Sequence, residues 1–338
     1  MIIRVDASAE IGLGHLRRIQ TITQTLEHLK ISYKLLIKAP KNFIPQSLNS
    51  NTQLILDTIP VEEELALLNK IKQSLSTSKI LLDISHKKTH QNKKSFETYC
   101  KELSRLGFKT MLFDGYKHDS IAYSTFCDVH TFIAPYVNAE HLIYKLPETC
   151  HTLLGPKYLP IPKALQEAKK TTKKAATHTA LISISGTDPH KITEAVIKKI
   201  STLTQIQFNV PLPKSFDPHY TNQLLELLQV HTHITCYPNP ENFFQMLREA
   251  TFIITGGGMT KYEAAYLETP QIILTHSASE NEINTDFAKA GTALHLLNNV
   301  DALPSALSQL THIQTCTKKC EHLIPENSTL NLVKKLLN

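Results

Sequence analysis

Tryptophan is absent from the 338 residues, and aromatic residues as a whole reach only 7%. Little is left from which to build the stacking platforms that grip single-stranded nucleic acid. No stretch approaches the roughly 18–20 uninterrupted apolar residues that a membrane-crossing helix needs, so no membrane span is expected. The opening MIIRVDASAEIG carries Asp6 and no apolar core followed by a small-residue cleavage site, so it does not read as a signal peptide. Six cysteines (Cys100, Cys127, Cys150, Cys236, Cys316, Cys320) are scattered along the chain. Without a leader they are expected to be free thiols of a cytoplasmic protein. Neither sign of charge dominates: 36 Lys+Arg stand against 30 Asp+Glu, a formal charge of +6. That excess suits a phosphorylated substrate and is too small to argue for nucleic acid.

Several motifs are also missing. There is no HExxH, and Cys316, Cys320 and His312 lack a fourth ligand at usable spacing, so no metal site and no cofactor are expected. The absence of GxSxG counts against an α/β-hydrolase, and the absence of GxxxxGK[ST] counts against a P-loop kinase.

What is present is ordinary globular composition, 41% apolar and 20% charged, with a length that suggests about two domains. Short apolar runs such as Ile2–Asp6, Lys79–Ile84 and Phe252–Thr255 alternate with helix-length segments such as His15–Lys30, His190–Leu203 and Met259–Glu268. This rhythm predicts an α/β chain of two Rossmann-like, doubly wound parallel-sheet domains. Residues 1–155 form the first, 156–178 a Pro- and Lys-rich linker with one short helix, 179–325 the second, and 326–338 a C-terminal helix. The two domains are expected to face each other across a cleft lined by the carboxyl ends of strands, where ligands of such folds sit.

Four stretches carry candidate chemistry. In RVDASAEIGLGHLRR a strand ends near Asp6, a loop holds Gly12 and Gly14, and a helix begins with His15 in its first turn and Arg17 and Arg18 behind it. Gly-x-Gly at a strand-to-helix turn lets backbone N–H groups approach an anion. The dinucleotide fingerprint is excluded, because its third glycine would fall on Arg17. A helix start disfavours protonation of His15, which is expected to be a neutral imidazole able to accept a proton. A tight turn whose histidine only bonds the backbone fits the same residues.

In ISISGTDPHK, Gly186, Thr187 and Asp188 form a second anion-facing turn, or simply a helix capped by Asp188 with Pro189 in its first position. In FIITGGGMTKYE, three glycines (Gly256, Gly257, Gly258) precede a helix starting near Met259. Such a run is costly unless the backbone must approach something closely. Glu263, one turn into that helix, is placed to accept both ribose hydroxyls of a nucleotide, while Lys261 reads as solvent-exposed. In HSASENEINTDF, Asn281 and Asn284 are candidates for holding sugar hydroxyl or acetamido groups, with helix capping as the alternative.

Taken together these motifs resemble a known family. RVDASAEIGLGHLRR resembles its Arg-x-Asp-Ala/Ser-Ser opening with Ile-Gly-x-Gly-His-x-x-Arg, HTLLGPKY its Leu-Gly-Pro-x-Tyr, and SGTDPHKIT its Gly-Gly-x-Asp turn. They follow in that order along the whole chain. The family is the UDP-sugar hydrolase of pseudaminic acid biosynthesis, related to spore-coat polysaccharide proteins. GGGMTKYE also resembles the nucleotide half of the UDP-GlcNAc transferase that makes peptidoglycan lipid II.

The resemblance implies a GT-B fold and a small-molecule UDP-sugar substrate. It implies hydrolysis of UDP-2,4-diacetamido-2,4,6-trideoxy-β-L-altropyranose to free sugar and UDP, by inverting C–O cleavage without metal. His15 matches the family's catalytic base, and Gly256–Gly258 with Glu263 match its UDP-holding residues. Asp6 or a neighbouring carboxylate is a candidate for orienting the imidazole. The rivals are a GT-B glycosyltransferase using a UDP-sugar donor, and a nucleotide-sugar binding module without catalysis.

Overall fold

A computed structural model describes residues 1–8, 14–41, 49–84, 93–117, 120–172, 179–275 and 278–338. Short runs of Ile, Leu, Val and Phe form the strands, and they sort into two units. One is Met1–Pro160 with Asn327–Asn338; the other is Ile161–Glu326.

In the first unit the strands are β1 (Ile2–Asp6), β2 (Lys34–Ala39), β3 (Thr52–Leu56), β4 (Lys79–Asp83), β5 (Lys109–Phe113), β6 (Thr131–Ala134) and β7 (His151–Leu154). They pair in parallel in the order β3-β2-β1-β4-β5-β6-β7. In the second unit β8 (Thr179–Ser183), β9 (Gln207–Leu212), β10 (Ile234–Pro238), β11 (Phe252–Thr255), β12 (Gln271–Ile273) and β13 (Leu294–His295) pair in parallel in the order β10-β9-β8-β11-β12-β13. Counted within each unit, both orders begin 3-2-1-4-5-6. This is the doubly wound arrangement expected from the sequence rhythm, and it reverses direction between its first and fourth strands. In doubly wound sheets ligands sit at the carboxyl ends of the strands flanking this reversal, which here are β1 and β4 in one unit and β8 and β11 in the other.

Helices of seven or more residues are α1 (Gly14–His28), α2 (Val61–Leu75), α3 (Lys93–Arg105), α4 (Lys163–Lys170), α5 (Ile192–Ile200), α6 (Pro218–Leu228), α7 (Phe243–Glu249), α8 (Thr260–Tyr266), α9 (Ala278–Lys289), α10 (Leu310–Thr317) and α11 (Ser328–Leu337). None of the described helices is long and apolar enough to cross a membrane.

Strand alternation sets what each face of the first sheet holds. Ile3 and Val5 pack into a core with Leu16, Ile19, Ile22 and Leu26 of α1 and Leu332, Val333 and Leu336 of α11. The spacing of the α1 residues is one helical stripe. Arg4 and Asp6 point to the opposite face, where Glu64 of α2 and Tyr99 of α3 meet them. The second unit has its own core, in which Ile182, Val196, Phe208, Leu224, Ile254 and Ile272 gather.

Two readings of the sequence are corrected here. The helix after Ser185 begins at Ile192 rather than His190, because Asp188 and Lys191 both take left-handed backbone (φ 42° and 53°) and insert a turn. Pro189 is thus outside the helix. The strand β7 was not anticipated; it is short and polar at its start, at the edge of the sheet. The span read as a linker with one short helix holds a 3-10 turn at Pro156–Tyr158 and the helix α4, which packs into the second unit through Leu165 and Ala168.

Candidate functional site

The reversal point of the first unit brings β1 and β4 side by side, with Val5 opposite Asp83. Asp83 ends a strand that is otherwise Lys-Ile-Leu-Leu and is itself fully buried. Two residues from the first turn of α1 close over it. His15 Nδ1 lies 2.5 Å from Asp83 Oδ1. Arg18 is three residues on and so on the same helix face. Its Nη2 donates to the same oxygen at 2.5 Å, and its Nε donates to Oδ2. Arg18 Nη1 also donates to the Tyr136 hydroxyl at 3.2 Å, and the guanidinium lies 4.7 Å over the Phe113 ring.

Burial pushes the Asp83 carboxyl up, but Arg18 and His15 beside it outweigh burial and hold it down at about 2. Asp83 is therefore an ionised acceptor. An acceptor at Nδ1 fixes the proton there and leaves the Nε2 lone pair outward. The His15 side chain keeps 29% of its surface exposed, whereas Asp83 has none. A buried carboxylate, a fixed tautomer and an accessible second nitrogen are the parts of a general base.

Asp6 ends β1, buried, and its carboxylate accepts from Arg4 at 2.7 Å. Arg4 in turn donates to Glu64 at 2.6 Å, and Lys38 donates to the other Glu64 oxygen at 2.7 Å. The carboxylate on His15 is thus Asp83, which the motif reading did not single out. Its only signal was an acid closing an apolar strand. Gly14 is the first residue of α1, and Arg17 is exposed. Gly12 lies outside the described residues.

At the reversal point of the second unit, Asp188 turns inward. Its carboxylate accepts from the backbone N–H of Ile192 (3.0 Å) and Thr193 (2.9 Å), and from the Tyr220 hydroxyl (2.8 Å). It caps α5 from four residues before Ile192, rather than as the residue next to a helix starting at Pro189. Gly186 and Thr187 are half-buried, and the Ser215 hydroxyl donates to the Gly186 carbonyl.

The three glycines after β11 play different parts. Gly256 N–H donates to Ile184 O at 2.9 Å, tying the turn to the loop after β8. Gly257 has φ +80°, and a Cβ there would run into the side-chain amide of Asn284. Gly258 is exposed, with nothing within 4 Å of where a Cβ would stand. Met259 precedes α8, and Glu263 lies in its first turn, 7% exposed.

Lys261 corrects the expectation of a solvated side chain. It is 1% exposed because α8 is buried along Lys261–Tyr266. Its ammonium donates to Asn284 Oδ1 at 2.6 Å and lies 5.2 and 5.3 Å from the Tyr262 and Phe287 ring centres. Burial lowers this amine to about 7, opposed by Glu280. Asn284, proposed from sequence as a sugar ligand, is fully buried behind Gly257. Asn281 is half-buried and accepts from the Thr275 hydroxyl.

No known family model matches the chain. An uncharacterised protein of Methanocaldococcus jannaschii is 24% identical over 299 residues, covering 86% of this chain. The match spans 58% of that relative's length. Among solved structures, MurG of Acinetobacter baumannii aligns with a TM-score of 0.65 at 12% identity, covering 99% of each chain. The UDP-GlcNAc 2-epimerase of Neisseria meningitidis bound to UDP-GlcNAc aligns at 0.62 and 13%, also covering 99% of each. MnaA of S. aureus with UDP aligns at 0.63 and 14%, covering 100% of this chain and 96% of the other. These likenesses, with the two parallel sheets, establish that the chain has the GT-B fold.

Proposed function

We propose that the protein is a nucleotide-sugar hydrolase that releases free sugar and UDP from UDP-2,4-diacetamido-2,4,6-trideoxy-β-L-altropyranose. The observation that carries this reading is the His15–Asp83 pair, 2.5 Å apart, with Arg18 on the same carboxylate. The N-terminal motif supplies the substrate class, and the UDP-sugar enzymes of the same fold support a nucleotide-sugar ligand.

In the proposed reaction His15 Nε2 takes a proton from water as the water oxygen bonds to the anomeric carbon. The anomeric C–O bond breaks, its electron pair leaves with UDP, and the configuration inverts. Asp83 stabilises the imidazolium that forms, as an oriented carboxylate does in other acid–base dyads. UDP is a good leaving group, so backbone donors suffice to meet its growing charge.

We assign its phosphates to the Gly186–Thr187 and Gly256–Met259 turns, which Asp188 and Gly257 shape, and its ribose hydroxyls to Glu263. Asn281 is assigned to the substrate. Gly12, Gly14 and Arg17 complete the substrate side of the first unit in this reading, while Asp6, held by Arg4, orders the end of β1. The scattered cysteines argue for a cytoplasmic setting.

The test is incubation with the UDP-sugar alone in ¹⁸O water. Label in the C1 hydroxyl of an inverted sugar, with unlabelled UDP, is the expected result. Label in the phosphate would mean P–O cleavage and sink the assignment. The second reading, a glycosyltransferase, is favoured by the likeness to MurG. It predicts no UDP release until a sugar acceptor is added.

A further inference from the structure

The N-terminal ends of the first sheet gather cations that the proposed reaction does not use. Lys79, the first residue of β4, stands opposite Lys109, the first residue of β5. Met111 stands opposite Thr131, and Thr131 opposite His151. Residues two apart on a strand share a face, so Lys79, Lys109 and His151 lie on one face, the one that α11 covers. Where α11 ends, a cavity of about 430 Å³ opens, lined by these three together with His130 and Lys335. Lys334 and Lys157 line the shallower hollow beside it.

Like charges in register on neighbouring strands repel. The Lys79 amine is held below its ordinary value by burial and by Lys109. The His130 imidazole is lowered by burial and by His151, Lys109 and Lys79. Its ring centre is 5.3 Å from that of His151. Lys79 is partly engaged, donating to Leu337 O at the end of α11. Among the described residues, the side chains of Lys109, His151 and Lys335 make no hydrogen bond or ion pair. Among the described residues no acidic side chain lines the cavity, whose lining also includes Asn338.

We propose that this cavity is a second anion seat, taking a small molecule that carries at least two phosphate groups. Three ammonium groups from β4, β5 and α11 exceed the roughly −1.5 to −2 charge of a single phosphate. The volume is at the small end of the about 300–1,000 Å³ typical of ligand pockets. The seat is separate from His15: it lies at the start of β4, and Asp83 lies at its end, about 13 Å away at the usual rise per residue.

Inorganic pyrophosphate is the probe, titrated calorimetrically into the full chain at low ionic strength, alone and with saturating UDP. One site should persist with UDP present and in Glu263→Ala. Its Kd should weaken at least tenfold in Lys109→Gln/His151→Gln and in Lys335→Gln, and recover in Lys109→Arg. The side chains at these positions carry no hydrogen bond of the fold, and thermal unfolding of each variant verifies that it is folded. The proposal is overturned if pyrophosphate does not bind, or if UDP displaces all of it. It is equally overturned if Lys198→Gln, on the exposed face of α5, weakens binding as much as the cavity variants do. Because the readout is pyrophosphate binding, failure here leaves the hydrolase assignment standing, and the reverse holds too.

Discussion

The two reversal points share a topology and bury charge in opposite ways. At β1/β4, Asp83 faces a cation, Arg18, and a histidine. At β8/β11, the buried charges face neutral partners: Asp188 has two backbone N–H groups and a phenol, and Lys261 has an amide. Ion pairing fixes a side chain and the proton on it. Neutral hydrogen bonding fixes backbone, here the Gly186–Thr187 loop and the Gly257 turn. In the proposed reaction the first point positions a proton and the second presents main chain to the nucleotide.

The largest effect that can break this contrast is on turnover. His15→Ala and Asp83→Asn are each expected to cut kcat by roughly 10²–10⁴, the scale of a lost general base, while UDP affinity stays nearly unchanged. Steady-state kinetics with calorimetry on UDP checks this; equal losses in both quantities would make His15 a binding residue. Asp83→Ala, which also strands the Arg18 guanidinium, should cost about 3–5 kcal/mol of stability in denaturant titrations.

Next come the glycines. Gly257→Ala meets both a positive φ and the Asn284 amide, so it should lower the unfolding midpoint by more than the ~1 kcal/mol of an ordinary glycine exchange. It should weaken UDP as well. Gly258→Ala has open space around it and should leave stability within about 0.5 kcal/mol of the parent. Glu263→Ala should weaken UDP binding by about 1.5–3 kcal/mol with little change in stability. Unchanged UDP affinity in Glu263→Ala would remove the ribose assignment.

The contrast also has a pH signature. Asp83 is held at about 2 against an ordinary 3.8, and Glu64, where Arg4 and Lys38 outweigh burial, at about 2 against 4.5. Both carboxylates stabilise the fold above their ordinary values, and that contribution is lost as pH falls from about 4.5 through about 2. Lys261 behaves differently. The unfolded chain takes up its proton below about 10.5, while the folded chain resists until about 7. Stability is therefore lost as pH falls from about 10.5 to about 7, and Lys261→Met should remove that slope. Its midpoint should rise above the parent's by a few °C at pH 7 and converge with it near pH 10. Melting curves across this range decide the matter. A flat difference would mean the amine is charged throughout.

The smallest expected effect is none. Exhaustive EDTA treatment should leave UDP release unchanged, and Mg²⁺ or Mn²⁺ should not raise it, because the diphosphate charge is assigned to fixed backbone donors. A rate that collapses with chelation and returns with Mg²⁺ would shift the assignment to a metal-dependent enzyme.

Most strands were legible because parallel strands buried on both faces read as apolar runs, as in Met111–Phe113 and Phe252–Ile254. The edge strand β7 was not, since an edge needs fewer apolar residues. His15 and the triple glycine stood out as local patterns. Asp83 did not: it meets His15 across 68 residues, through a strand pairing that spacing alone cannot reveal. Lys261 was misread because a short helix buried on nearly every side gives no amphipathic cue, and lysine is rarely buried.

The return of α11 to the first unit has a consequence for biogenesis. On the ribosome the first 160 residues emerge well before Leu332, Val333 and Leu336, which complete the core that Ile19, Ile22 and Leu26 share with the sheet. At about 5–20 residues per second the wait is on the order of ten seconds or more. Throughout it the core of the first unit lacks the part that α11 supplies. The second unit, whose chain is contiguous from Ile161 to Glu326, meets no such delay. Order of synthesis and order of completion are thus reversed: the half made first is finished last.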